Sequence, residues 1–221
     1  MVSPAEARRF STARICSALI PATLVAFGFS PIGALALALI YEVPLYVSTL
    51  VLVLPATIGT VFFCLKYPRY RREVTVGLVS GLLATLVYDC TRLPCLALGL
   101  WPDFIPKIGG LALNSAQPNW LVGYLWRYLG DGGGMGIAFA VFFGNIRRFR
   151  RIRRIGVAYG IGVWLALMTT LAACPDPSHL MFVLTPLTFA MSLLGHVVYG
   201  GVLGYFSASR LFRPLRQGLA G

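Results

Sequence analysis

The stretch LGDGGGMGIAFAVFFGNIRRF at residues 129–149 recurs in altered form as LGHVVYGGVLGYFSASRLF at residues 194–212. Both copies begin with Leu-Gly and continue as an apolar, glycine-rich segment that ends beside basic residues. When the Leu-Gly pairs are aligned, Asp131 aligns with His196 and the later glycines fall into register. An internal repeat constrains architecture more directly than any single segment does, so the fold prediction begins here.

The segment before each copy is repeated as well. RREVTVGLVSG at 71–81 and RIRRIGVAYG at 151–160 each place a Gly-x-x-x-Gly after basic residues, and a Pro-Asp turn follows both. We therefore predict two N-terminal transmembrane helices in residues 1–70, a first helical hairpin in residues 71–149, and a second hairpin with a basic tail in residues 150–221. Two spans per copy give both hairpins one orientation, which predicts a pseudo-two-fold axis along the membrane normal.

The composition is that of a membrane protein. The chain is 57% hydrophobic and 12% charged, and its mean hydropathy is +0.77. Several apolar runs reach roughly 20 residues, the length of helix that crosses a bilayer core. We predict an all-α, polytopic helix bundle with about six spans. They lie near 14–40, 46–65, 74–100, 119–146, 156–174 and 181–208.

The net charge of +12 follows this topology and does not indicate a nucleic-acid partner. Sixteen of the nineteen basic residues flank the same ends of the six predicted spans. The positive-inside rule makes that side cytoplasmic, with both termini inside, and the expected location is a bacterial inner membrane. The first apolar segment has two interpretations, a cleaved signal peptide or a retained helix kinked at Pro21 and Pro31, and the second is favoured.

Small residues spaced four apart recur in the last four predicted spans. In lipid, such faces let helix backbones approach closely, so we predict a compact four-helix core with the first two spans outside it. The run GDGGGMG at 130–136 adds consecutive glycines at mid-span. It predicts a break, a kink or tight packing in that helix.

Five ionisable residues fall inside predicted spans, where an unpaired charge is costly and is by default a functional candidate. They are Asp89, Arg92, Arg127, Asp131 and His196. We predict a polar, outward-facing cavity between the hairpins, lined by these substrate- or ion-binding residues. Asp131 and His196 would face each other at its floor and exchange protons or bind an ion.

A structural interpretation of the same residues remains open. Asp89 with Arg92, and Arg127 with Asp131, are spaced to pair on one helix face, and His196 would then bond a backbone carbonyl. The loop at 101–118 is either a cap over the cavity mouth or a plain connector.

Cofactor and metal chemistry is not expected. Two histidines are too few for a multi-histidine site, and no Cys-x-x-Cys, Walker or dinucleotide motif occurs. A mixed metal site in CPDPSH, residues 174–179, is a minor alternative. Cys90, Cys95 and Cys174 fall toward the outer side, where a Cys95–Cys174 disulfide is possible but not required.

The motif LGHVVYGGVLG at 194–204, preceded by a comparable glycine-rich span, resembles the YagU-like family of small multi-pass bacterial inner-membrane proteins. The resemblance covers about residues 71–210 and implies a membrane location but no activity. That family tends to carry histidine in the first copy as well, whereas this chain has Asp131.

The leading functional hypothesis is a transporter- or channel-like protein that moves a small solute or ion, with or without proton coupling. A second hypothesis is a non-catalytic subunit or assembly factor of a larger membrane complex, or a homo-oligomer. A third is an intramembrane enzyme acting on lipid or quinone, although a non-enzymatic role is favoured. The expected partners are the lipid bilayer and other membrane-protein subunits.

Overall fold

A computed structural model describes residues 19–144, 146 and 149–208, and this part of the chain is helical with no strand. The helices are α1 (Leu19–Gly28), α2 (Ser30–Tyr41), α3 (Leu45–Lys66), α4 (Pro68–Ala97), α5 (Ile105–Ala112), α6, α7 (Phe149–Ala173) and α8 (Pro186–Ala208). Helix α6 consists of the consecutive segments Trp120–Leu125, Trp126–Gly133 and Gly134–Phe143, of which the middle one is π-helical.

Four helices, α3, α4, α7 and α8, are long and apolar enough to cross a membrane. The pair α1–α2, bent by 53°, makes a fifth if it is one broken span. For the described residues, the prediction of an all-helical chain with several apolar helices of membrane-spanning length is therefore confirmed. The fourth predicted span, 119–146, corresponds to α6, which the π-helical segment divides into shorter helices, so six spans are not established.

The bend between α1 and α2 lies at Phe29, and Pro31 follows in the first turn of α2. Proline lacks the backbone N–H, and its ring clashes with the carbonyl four residues earlier, which favours a break there. A kinked first helix was expected from the same proline. Cys16 and the basic residues before it, like those after residue 208, lie outside the described residues.

The helices pack in an order that positions one central cleft. Helix α8 packs against both α7 and α4, and α4 packs against α6, so these four form a continuous row. Helix α2 contacts α6 and α7 and covers the cleft between the two ends of this row. The segment 101–118 folds into α5, which packs on the start of α6.

Glycines bring the neighbouring helices into backbone contact. A Cβ atom placed on Gly77 of α4 would lie 2.6 Å from the carbonyl oxygen of Gly136 in α6, and one on Gly81 would meet Gly132. In α7, Gly156 and Gly160 meet Gly200 and the carbonyl of His196 in the same way. Both helix pairs are therefore antiparallel and joined through small residues, as expected from their spacing.

Candidate functional site

Asp89 of α4 is the centre of a buried ion pair with α6. Arg127 donates from Nε to both carboxylate oxygens, at 2.9 and 3.2 Å, and from Nη2 to Oδ1. The Tyr128 hydroxyl donates to Oδ2 at 3.0 Å. The Arg127 guanidinium also lies 4.7 Å from the centre of the Tyr88 ring. The pairing thus connects two helices, and the expected pairing of Arg127 with Asp131 within α6 is not found.

Arg92, one turn further along α4, has a different partner. Its Nη2 donates to Oδ1 of Asp103 at 2.7 Å, while Asp89 Oδ1 is 4.0 Å from Nη1. The Nε and Nη1 atoms are buried and have no hydrogen-bond partner. The side chain of Phe104 lies beneath the guanidinium, with its ring centre 5.6 Å away. Asp103 lies in the segment 101–118, and nothing local in the sequence indicates its contact with Arg92.

Asp131 lies in the π-helical segment of α6. Its Oδ1 atom is buried without a hydrogen-bond partner, and none of the ion pairs among the described residues includes it. A buried acceptor without a partner is costly. Asp131 is therefore the one predicted site residue whose carboxylate the protein leaves incompletely satisfied.

His196 of α8 is 9% exposed, and its Nδ1 lies 2.8 Å from the carbonyl oxygen of Ser192. A carbonyl oxygen accepts, so Nδ1 carries a proton, and Nε2 is the acceptor whenever the ring is neutral. The ring packs edge-to-face on Tyr88 with centroids 5.5 Å apart. The backbone bond expected in the structural interpretation is therefore present.

One cavity of about 190 Å³ brings most of the predicted residues together. Arg92, Arg127, Asp131 and His196 all line it, and Asp89 lies behind Arg127. Asp131 and His196 share the cavity, and no hydrogen bond joins them in the described part of the chain. Apolar walls come mainly from α2, α7 and the segment before α5; they include Ile32, Leu35, Leu39, Trp101, Val163 and Leu167.

Two tyrosines connect the second helix pair to the π-helical region of the first. Tyr199 of α8 donates to the carbonyl of Gly132 at 2.8 Å, and Tyr159 of α7 donates to that of Met135 at 2.9 Å. A π-helical turn disturbs the normal i→i−4 bonding, and these hydroxyls satisfy carbonyls beside it. Sequence analysis did not single out either tyrosine, since a Tyr in an apolar span carries no distinctive spacing.

The alternatives built on cysteine and metal ligands find no support. No group of three or more His, Cys, Asp or Glu side chains that could hold a metal occurs among the described residues. In CPDPSH, hydrogen bonds from Ser178 instead hold the pKa of the Asp176 carboxyl below its usual range. Cys64, Cys90, Cys95 and Cys174 are free, so the Cys95–Cys174 disulfide is not present.

A family model matches residues 71–213, which include all of α4 except its first three residues, the whole of α5 to α8 and every charged residue of the cavity. The chain belongs to DUF6789, a family of unknown function. This match covers nearly the stretch that resembles YagU-like proteins, but the family description does not name them, so that resemblance remains a prediction. No curated protein and no solved structure matches the chain.

Proposed function

We propose that this DUF6789 protein is a transporter- or channel-like inner-membrane protein that moves a small solute or ion through the cavity between α4/α6 and α7/α8. The observation that carries the proposal is that four predicted intramembrane ionisable residues line one cavity. A bundle held only by packing would not need charged groups around an internal space, because buried charges are costly.

The proposed architecture is a duplicated hairpin with six spans. Its support is that Gly77 and Gly81 meet α6 as Gly156 and Gly160 meet α8. By these contacts Gly132 corresponds to His196, and Gly136 corresponds to Gly200. The alignment on Leu-Gly instead pairs His196 with Asp131, so the two alignments differ by one residue. Asp131 then has no counterpart and is an extra residue, and a single inserted residue is what a π-helical turn accommodates. The proposed axis therefore relates His196 to Gly132 rather than to Asp131.

The proposed orientation places the cavity on the outer side of the membrane. The basic residues at the α3–α4 turn and at the start of α7 lie at one end of the bundle, since both helix pairs are antiparallel. Arg92 and Asp103 lie at the opposite end of α4. By the positive-inside rule this opposite end is periplasmic, and both termini are cytoplasmic.

The proposed roles differ between the charged residues. Asp89 and Arg127 neutralise each other and fix the wall of the cavity. Asp131 and His196, at the inner end, bind the ion or exchange the proton, because each retains an acceptor atom without a partner in the arrangement described above. The glycine contacts between helices close the bundle beyond this level, so passage of a solute needs a helix movement.

The test uses purified protein in liposomes and measures both dissipation of a pH gradient and uptake of a panel of small solutes. Asp131→Asn and His196→Ala should abolish flux while retaining the thermal stability of the wild type. Thr169→Ala, on an exposed face of α7, is the matched control and should transport normally. If flux is absent in the wild type, or if both site variants retain it, the proposal is wrong.

A complex subunit is the second candidate because α3 presents a wide apolar surface. Leu50, Val51, Ile58, Phe62 and Leu65 are all more than half exposed. Lipid or another protein can cover such a face. A stoichiometric membrane protein that remains bound in mild detergent, and is lost when Val51 and Ile58 are changed to Trp, would favour this candidate.

A further inference from the structure

We infer that the ligand of the cavity is a monocarboxylate with an apolar body, held through its carboxylate by Arg92. This inference rests on the proposed function and names the substrate class of the same cavity. Three observations support it: the N–H groups of Arg92 that have no hydrogen-bond partner, the charged residues around them, and the apolar side chains that line the rest of the cavity.

Arg92 offers a built anchoring point. Its side chain is 2% exposed and lines the cavity, and its Nε and Nη1 atoms are buried and have no hydrogen-bond partner. These two nitrogens carry three N–H groups, and a guanidinium accepts nothing, so only oxygen or similar acceptors can satisfy them. Leaving buried donors of a charged group unpaired costs more than leaving neutral ones. An incoming carboxylate supplies several acceptor sites at once.

The neighbouring carboxylates leave room for another negative group at Arg92. Asp89 is already engaged by Arg127 and Tyr128, and it approaches Arg92 only to 4.0 Å. Asp103 bonds the remaining nitrogen, Nη2, and its side chain is 35% exposed, so solvent screens its charge. The Arg92 guanidinium thus keeps donors on Nε and Nη1 to which neither carboxylate is hydrogen-bonded.

Asp131 lies at the other end and does not compete for the same place. Arg92 follows Thr85 on α4 by two turns, about 10 Å along the helix axis, and Thr85 packs on Gly132 beside Asp131. The space between these levels is walled by Ile32, Leu35, Val163 and Leu167. An apolar body extending from the carboxylate would lie against these side chains, where its burial is favourable.

The test is calorimetric titration of the purified protein with hexanoate, hexan-1-ol and hexylamine, which share one chain length and differ in head group. Hexanoate should bind at least about tenfold more tightly than the alcohol or the amine, since each factor of ten needs only about 1.4 kcal/mol. Arg92→Gln should remove that preference, and Arg92→Lys should restore part of it. Equal binding of hexanoate and hexan-1-ol to the wild type, or no binding of hexanoate, overturns the inference.

A second pair of variants tests the same cavity without changing Arg92, so the inference stays testable if the Arg92 variants misfold. Ala36→Phe places a ring in the apolar part of the cavity and should weaken hexanoate at least about tenfold. Leu37→Phe, on the same helix but outside the cavity lining, should bind like the wild type. If Ala36→Phe binds hexanoate as tightly as Leu37→Phe does, the ligand does not occupy this cavity and the inference is wrong.

The two proposals fail in different ways. Arg92-dependent hexanoate binding without flux of any solute in liposomes would support this inference and overturn transport. Flux of another solute that depends on Asp131, without hexanoate binding, would overturn this inference and leave transport standing.

Discussion

Asp89 is the residue on which the charged part of the cavity wall depends. It accepts hydrogen bonds from Arg127 and Tyr128, and it is also the nearest carboxylate to Nη1 of Arg92. One buried carboxylate thereby faces two buried guanidinium groups. Breaking a buried pair costs far more than the pair contributes, because the remaining charge is left uncompensated.

We expect Asp89→Asn to lower the free energy of unfolding by about 3–5 kcal/mol, the range for removing one partner of a buried ion pair. Titration with sodium dodecyl sulfate, followed by far-ultraviolet circular dichroism, measures this change. The double variant Asp89→Asn/Arg127→Met should recover part of the loss, since no charge at position 127 then remains buried. A single variant as stable as the wild type would show that Arg127 finds another partner.

At the residue scale, the sequence predicted which side chains are unusual and the approach of Asp89 to Arg92, at 4.0 Å, but not their closest partners. All five predicted site residues belong to one cluster around the cavity, because ionisable groups are rare in apolar helices. Spacing along one helix suggested pairs within α4 and within α6. Arg127 bonds Asp89 of the neighbouring helix and Arg92 bonds Asp103 of a loop, and such contacts depend on tertiary packing that spacing does not report.

At the scale of helices, the glycines of α7 offer an internal comparison. Gly160 faces α8, where a Cβ atom would lie 3.1 Å from the Cα of Gly200 and would also meet the carbonyl of His196. Gly162, two residues on, has nothing within 4 Å. The two positions share a helix and a residue type but differ in packing.

We expect Gly160→Ala to destabilise the protein by about 1–3 kcal/mol, the usual cost of forcing a group into a packed interface. Gly162→Ala should be neutral or stabilising by up to about 1 kcal/mol, because alanine favours the helix. The same detergent titration compares the two. Equal effects would mean that the α7–α8 contact is not set by backbone approach.

The π-helical segment of α6 predicts how the protein responds to the deletion of a single residue. If Asp131 is an extra residue, its deletion leaves a regular α-helix with both flanking faces in place. Deletion of Ala138 from the regular part of α6 would instead rotate the flanking faces by about 100° relative to each other. Deletion of Asp131 should therefore lower the melting temperature much less than deletion of Ala138, and the reverse order would exclude the insertion.

Under the proposed duplication, the same segment accounts for the difference of one residue between the alignment on Leu-Gly and the register of the helix packing. Leu129-Gly130 and Leu194-Gly195 align by identity, whereas the packing of Gly132 and Gly136 follows a register shifted by one. The consecutive glycines did indicate an irregular helix. An insertion of a single residue has no signature of its own in one sequence.

At the scale of the whole molecule, the proposed orientation can be tested by labelling. With the native cysteines replaced by alanine, Asn114→Cys should react with a membrane-impermeant maleimide in intact cells. Arg151→Cys, at the opposite end of the bundle, should react only after permeabilisation. If Arg151→Cys were the one variant labelled in intact cells, the topology would be the reverse of the proposed one and the cavity would lie on the cytoplasmic side.

Helix α2 supplies a wall of the cavity, yet it precedes the stretch that matches DUF6789. The charged residues of the site all lie within that stretch, whereas the part of the apolar wall that α2 supplies lies before it. Replacement of α2 alone would change the shape of the cavity and leave its charged residues in place. Under the proposed function, a chimaera that carries a foreign α2 should accept molecules of a different outline while the charged residues of the cavity stay unchanged.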